Sequence, residues 1–233
     1  MNSRQKASKE AVGLVKDGMV LGLGTGSTVH FFLEELSIRI KEGLKVSGIP
    51  TSIDTETKCK ELGIPLESGD AISYVDLTID GCDAFNQAFI LKGSKGALLR
   101  EKIVAYAAQE FVIITDDARK VTSINEKPIY VEIIPFWKKR TIDTLNNIFS
   151  KVMPISNQQY FITDNGNYLY ECYLNTSSVF SKDMIKLEDK LASIPGVVQS
   201  GLFTKKKALI LAGSSNSVIK YRFNEFSIHQ HIK

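Results

Sequence analysis

Residues 19–43 read MVLGLGTGSTVHFFLEELSIRIKEG. A short apolar run, MVLGLG, leads through TGST into the helical run VHFFLEELSIRIKEG. An apolar run of strand length joined to a helix by a glycine-rich turn is one unit of a sheet covered by helices. The neighbouring residues repeat that unit. RQKASKEAVGLVKD (4–17) is helical and stops before Gly18; LKVSGIP is a strand, DTETKCKELG a helix and YVDLTID a strand. KGALLREKIVAYAAQE is an amphipathic helix, and FVIITDD is the next strand. This alternation predicts a parallel sheet with helices on both faces. Ligands of such sheets gather at the C-terminal ends of the strands. GLGTGST, IDGCD and TDDARK all fall at such ends, so they are expected to face one cleft.

The pattern changes near residue 130. KPIYVEIIPFW carries Pro128 and Pro135, which punctuate strands and loops. TIDTLNNIFSKV reads as a helix. QYFITDNGNYLYECYL reads as two strands around the turn Asp164-Asn165-Gly166-Asn167. DMIKLEDKLASI is a helix bounded by Pro195-Gly196, and VVQSGLF is a strand. KKALILAG (206–213) is expected to return to the first sheet. The fold class is therefore α/β: a Rossmann-like parallel sheet flanked by helices, with a small α+β, ferredoxin-like domain inserted before the last strand. The domain boundaries are 1–129 with 206–233, and 130–205. Neither repeats nor low-complexity segments interrupt the pattern.

The 233 residues are 43% hydrophobic and 24% charged, enough for a sizeable core. The net charge of +3 is too small to argue for nucleic acid. No apolar run could span a bilayer, and MNSRQKASKEAV has no signal-peptide core, so a cytoplasmic protein is expected. Cys59, Cys82 and Cys172 are odd in number and lack metal-type spacing, as do His30, His229 and His231. No metal site is expected, and the two C-terminal histidines read as part of a solvated tail.

The turn GLGTGST (22–28) offers backbone N–H groups at a helix N-terminus, where anions are favoured. Thr25, Ser27 and Thr28 can add hydroxyl donors, and Gly26 lets the backbone approach. Ser27 stands where a dinucleotide fingerprint needs its third glycine, and the second strand ends in Ile49-Pro50-Thr51-Ser52, with Asp54 a little beyond. The Gly-Lys-Ser/Thr ending of a nucleotide P-loop is absent. A small phosphorylated ligand fits best; the plain alternative is a tight turn capped by Ser27.

Two stretches concentrate charge: DLTIDGCD (76–83) and ILKGSKGALLREK (90–102). Alternation puts Asp76 and Asp80 on one face of a strand, Asp80 nearer its end. Asp83 follows Gly81, Lys92 precedes Gly93-Ser94-Lys95-Gly96, and Glu101 lies about one turn into the next helix. Taken singly, Asp83 reads as a loop carboxylate, Glu101 as an exposed helix residue and Lys95 as solvated. Converging at strand ends beside a phosphate turn, they read as a proton-transfer site for a phosphorylated substrate.

GLGTGST, DLTIDGCD, LKGSKGALLREKIVA, YVEIIPF, ITDNGNY and IPGVVQSGLF stand in an order and spacing that resemble the type A ribose-5-phosphate isomerase family. The resemblance covers nearly the whole chain. It implies interconversion of ribose 5-phosphate and ribulose 5-phosphate in the pentose phosphate pathway, no metal, no organic cofactor, and a homodimer or homotetramer. Glu101 matches the family's general base. Asp80 and Asp83 match the aspartates of its DGAD motif, which also places Gly81 and Cys82 at the substrate, and Lys92 matches the lysine of its KGGGG motif. Thr25, Gly26, Ser27 and Thr28 match the phosphate turn, and residues 92–95, with Gly93, Ser94 and Lys95, match the substrate loop. Arg119 aligns with a substrate-holding basic residue, with Lys120 adjacent; a further family lysine aligns with Arg4, with Lys6 as its rival. Three departures stand out: Ala84 replaces a carboxylate, Ser94 and Lys95 replace glycines, and Arg119 replaces lysine. The alternatives weighed are an isomerase of another pentose phosphate, a sugar-phosphate sensor without turnover, and an acyl or CoA transferase.

Overall fold

The computed structural model describes residues 1–155, 161–174 and 181–224. His229 and His231, read above as a tail, lie outside them, as do Gln159 and Tyr160 of the QYFITDNGN stretch. The first elements along the chain are α1 (Ser3–Val12), β1 (Val20–Leu23), α2 (Ser27–Lys41), β2 (Ser47–Pro50), α3 (Ile53–Leu62) and β3 (Val75–Asp80). Then come β4 (Ala84–Phe85), β5 (Ile90–Leu91), α4 (Leu98–Ala107), β6 (Ala108–Asp116), β7 (Ile129–Ile133), α5 (Lys138–Asn146) and β8 (Lys151–Pro154). The last are β9 (Tyr168–Tyr173), α6 (Ser181–Ala192), β10 (Val197–Ser200), β11 (Leu202–Phe203), β12 (Ala208–Gly213) and β13 (Val218–Phe223). Two compact units share them: Met1–Gly81 with Ile103–Ala118 and Lys206–Lys233, and Cys82–Lys102 with Arg119–Lys205.

The first unit holds a six-stranded sheet in the order β13-β12-β6-β3-β1-β2. Its strands run parallel except β13. Strand alternation sorts the side chains. Leu21, Leu23, Leu77 and Ile79 point to one face, where they meet Ala7 and Ala11 of α1 and Phe32, Leu33 and Leu36 of α2. Each fully buried Leu, Ile or Phe side chain among them stabilises the fold by about 1.5–3 kcal/mol. Thr78 points to the other face, where its hydroxyl donates to the Val104 carbonyl of α4 at 3.3 Å. Helices therefore cover both faces, as the alternation predicts.

Two differences from the sequence reading concern this unit. β12 is not the last strand: β13 follows it as an antiparallel edge. Its Lys220 and Arg222 are exposed, so VIKYRF presents charges to solvent as edge strands commonly do and reads as surface in the sequence. The fourth helix also ends early. Ala108 pairs with Val75, so the sheet ladder takes the backbone of AQE from the helix.

The second unit runs β7-α5-β8-β9-α6-β10, with a four-stranded antiparallel sheet in the order β10-β7-β9-β8. That is the split β-α-β arrangement of ferredoxin-like domains. Residues 151–154, of which Lys151 and Val152 read in the sequence as a helix end, form the strand that pairs with β9. Among the described residues, the stretch before the DNGN turn contributes a single bridge, Ile162 to Tyr168. A second, three-stranded sheet, β11-β5-β4, belongs to the same unit. Ala84, Phe89, Leu91, Val121 and Ile124 share one core cluster with Val131, Leu145 and Leu191. Residues 82–102 and 119–129 therefore group with the smaller domain by compactness, whereas the sequence boundaries put them in the larger one.

Candidate active site

In the first unit the glycine turn is built around Asp80. This carboxylate is fully buried at the end of β3. It accepts from the backbone N–H of Thr25 at 3.1 Å and of Gly81 at 2.7 Å. Gly24 makes that approach possible, because a Cβ there would lie 2.2 Å from the Asp80 carboxyl group.

The Thr25 hydroxyl, expected to face a phosphate, is instead committed inward. It lies 2.8 Å from the Thr51 hydroxyl, 2.8 Å from that of Ser52 and 3.2 Å from that of Thr55. Thr55 in turn donates to the Gly24 carbonyl at 2.7 Å. These hydroxyls anchor the turn. Helix α2 begins at Ser27 after Gly26, which supplies no side-chain cap, so Ser27 does not cap the helix. The first-turn N–H groups and the exposed Ser27 are left facing outward. Arg4 stands beside them: its Nε is 2.8 Å from Asp116 and its Nη1 donates to the Ser27 hydroxyl at 3.3 Å. Its rival Lys6 donates to the carbonyl of Ser215. A helix N-terminus with a guanidinium next to it is an anion-accepting arrangement.

In the second unit the charges are buried. Lys92 follows β5 and Glu101 lies in the first turn of α4. Their ammonium and carboxylate are 3.4 Å apart, with only 2% and 4% of the side chains exposed. At such exposure the pair is poorly screened, and either partner alone would be costly to bury. Asp83 is tied to the loop after Lys92. Its N–H donates to the Leu91 carbonyl at 2.7 Å, and its carboxylate accepts from the Ser94 N–H at 3.0 Å and from the Ser94 hydroxyl. Arg119 donates to the Asp83 carbonyl at 3.1 Å. Gly93 is buried against Tyr130 and Leu98, Lys95 is exposed, and Cys82 is a half-buried free thiol. Ala84 is fully buried in β4.

Sequence reasoning missed the partners of these residues. Thr51 and Ser52 were visible only as hydroxyls at the end of the second strand, and Thr55 only as a residue of the helix after it. Arg100 and Lys102 flank Glu101 in the sequence without being singled out there, yet Lys102 is only 6% exposed.

Fold and site together define a class: an α/β protein with an anion-accepting turn and a buried carboxylate–ammonium pair, the equipment for moving protons on a phosphorylated molecule. Residues 47–217 match the family model described as ribose 5-phosphate isomerase A (phosphoriboisomerase A). A ribose-5-phosphate isomerase A of Bacillus mycoides is 39% identical over 226 residues, covering 95% of this chain and 100% of the relative. A ribose 5-phosphate isomerase A structure from Methanocaldococcus jannaschii is 38% identical, with a TM-score of 0.85 over 94% of this chain and 97% of that one. A D-ribose-5-phosphate isomerase in complex with phospho-erythronic acid is 30% identical, with a TM-score of 0.86 over 95% of this chain and 100% of that one. The chain belongs to the ribose 5-phosphate isomerase A family.

Proposed function

We propose that this chain interconverts D-ribose 5-phosphate and D-ribulose 5-phosphate through a cis-enediolate. The observation behind the assignment of roles is the Glu101–Lys92 pair, buried and 3.4 Å apart in a member of this family. The substrate phosphate binds the α2 N-terminus with Ser27, Thr28 and Arg4, and Asp80 and the Thr25 hydroxyl cluster hold the turn in shape. Arg119 is the further substrate-holding cation; guanidinium donors are more directional than an ammonium.

The reaction begins with ring opening. Asp83 and Lys92 assist proton movement to the ring oxygen. Glu101 then removes the proton from C2 of the open aldehyde and returns it to C1. Between these steps the enediolate carries negative charge, which the Lys92 ammonium stabilises where it develops. Asp80 moves the protons on O1 and O2. Every proton taken from the aldose is restored to the ketose, so no external oxidant or reductant is required. Ser94 reinforces Asp83 through its hydroxyl, a contact that glycine could not make.

The test is direct. Purified protein, treated with chelator, is given ribose 5-phosphate, and ketose formation is followed. Rapid conversion is expected; well-folded protein that produces no ketose would refute the assignment. A cytoplasmic homodimer or homotetramer is the assembly we propose, on family membership. Among the described residues no helix is long and apolar enough to cross a membrane. Light scattering giving a monomer mass would overturn the assembly.

A further inference from the structure

Two sequence motifs have no part in the chemistry above: ITDNGNY (162–168) and IPGVVQSGLF (194–203). Both reach the helix that bears Glu101, and all the groups concerned lie in the second unit.

Arg100 holds the first motif. Its Nε donates to the Asn165 side-chain carbonyl and its Nη2 to the Asp164 backbone carbonyl, each at 2.9 Å. The turn so gripped is itself stiffened by Glu132, fully buried, which accepts from Thr163 at 2.9 Å, Asn165 at 3.1 Å and Asn167 at 2.8 Å.

Lys102 holds the second motif. Its ammonium donates to the Leu202 carbonyl at 2.7 Å, to Glu188 at 2.8 Å and to Gln199 at 3.2 Å, which uses all three donors. The Phe203 ring lies 4.7 Å away. Glu188 turns its other oxygen to the N–H and hydroxyl of Thr204. Burial lowers the Lys102 pKa, and the Glu188 carboxylate opposes that shift.

The same segment also fixes Lys92. The Lys92 N–H donates to the Gly201 carbonyl at 2.8 Å, and Leu202 pairs with Leu91. A Cβ on Gly201 would lie 1.8 Å from the Lys92 carbonyl oxygen, so only glycine permits the approach. Residues 201–203 thus grip the strand end bearing Lys92 and, through Lys102, the helix bearing Glu101.

Side chains leave a helix about 100° apart per residue, so those of 100 and 102 diverge by about 200°, with 101 midway. Grips at 100 and 102 therefore block rotation of the helix in either sense. An apolar side chain at 102 would anchor the helix by packing but would not set its rotation through directed bonds.

We propose that Lys102, clamped by Glu188, Gln199 and the Leu202 carbonyl, is a positioning residue for the isomerisation: with Arg100 it sets the rotation of α4 that holds Glu101 at 3.4 Å from Lys92. The proposal rests on Glu101 being the base. It differs from a purely structural buried ion pair in what it predicts. Lys102→Met removes the three hydrogen bonds. Lys102→Met/Glu188→Gln removes the charge of both partners and keeps an amide oxygen to accept from Thr204, so no buried charge is left uncompensated. The double variant is expected to melt near wild type yet keep kcat down by about 10–10², because a misplacement of the base on the order of 1 Å costs that much. KM should change by less than about threefold, since the phosphate turn is untouched. Exchange of the ribose 5-phosphate C2 proton into deuterated solvent should slow by the same factor as kcat. Arg100→Gln, at a half-exposed side chain, should fold normally and lower kcat a few-fold.

Recovery of wild-type kcat along with the melting temperature in the double variant would overturn the proposal. So would folded Lys102→Met and Arg100→Gln with normal turnover, or a rise in KM alone. Glu101→Gln on the same preparation separates the two ideas. If it is inactive while the Lys102 and Arg100 variants are normal, only the positioning role fails. If wild type forms no ketose, the isomerase assignment and the positioning role fall together.

Discussion

Asp80 in the first unit and Glu101 in the second are both almost fully buried carboxylates, but their surroundings differ in kind. Asp80 is held by the neutral backbone donors of Thr25 and Gly81, in a turn braced by the hydroxyls of Thr51, Ser52 and Thr55. Glu101 faces the ammonium of Lys92, on a helix gripped on either side by Arg100 and Lys102. Neutral dipoles fixed by the fold suit the binding of an anion, because they do not titrate as the substrate reacts. A buried opposite charge suits proton transfer, because its effect is large where water is excluded. The contrast predicts that damage to the hydroxyl brace of the first region shows in stability and binding, whereas loss of Asp80 itself, or damage to the second region, shows in turnover.

The largest expected effect follows from removing the proposed base. Glu101→Gln should lower kcat by at least about 10², the range of a positioned general base, with phosphate affinity retained. Lys92→Met comes next. It leaves a carboxylate buried without this ammonium, so a loss of about 3–5 kcal/mol in stability should accompany a kcat drop on the order of 10². Denaturant titration and steady-state kinetics together check both numbers. Thr25→Val sharpens the comparison from the other side. It breaks the inward hydroxyl cluster, so stability should fall by about 1–3 kcal/mol while kcat stays within a few-fold of wild type. A collapse of kcat with stability unchanged would mean that the Thr25 hydroxyl acts on the substrate after all. The smallest effect is expected at Ser94→Gly, which removes one donor to Asp83 and leaves the backbone N–H in place. A few-fold fall in kcat is expected; an increase would show that the serine restricts the loop.

Much of this was legible in the residues. The strand–turn–helix unit at 19–43 carried the fold class, because periodicity and glycine position are local properties. Asp80, Asp83, Lys92 and Glu101 could be singled out because charge beside an apolar strand is unusual. What could not be read was which groups those charges touch. Arg100 and Lys102 look like any solvated pair on a helix, and the bonds to Asp164, Asn165, Glu188 and Leu202 join residues 64, 65, 86 and 100 positions away. The Thr25 hydroxyl was assigned outward because a turn sequence does not show which way a side chain faces. β13 was missed because an edge strand with Lys220 and Arg222 exposed resembles a loop.

The central claim is that Glu101 carries the C2 proton. The most direct measurement is nuclear magnetic resonance of ribose 5-phosphate in deuterated solvent with wild type and with Glu101→Gln at equal folded concentration. Deuterium at the exchanged carbon and ketose formation should appear with wild type, and both should slow by at least about 10² in the variant. Exchange at the wild-type rate in a folded Glu101→Gln protein would contradict the account and move the base to another residue.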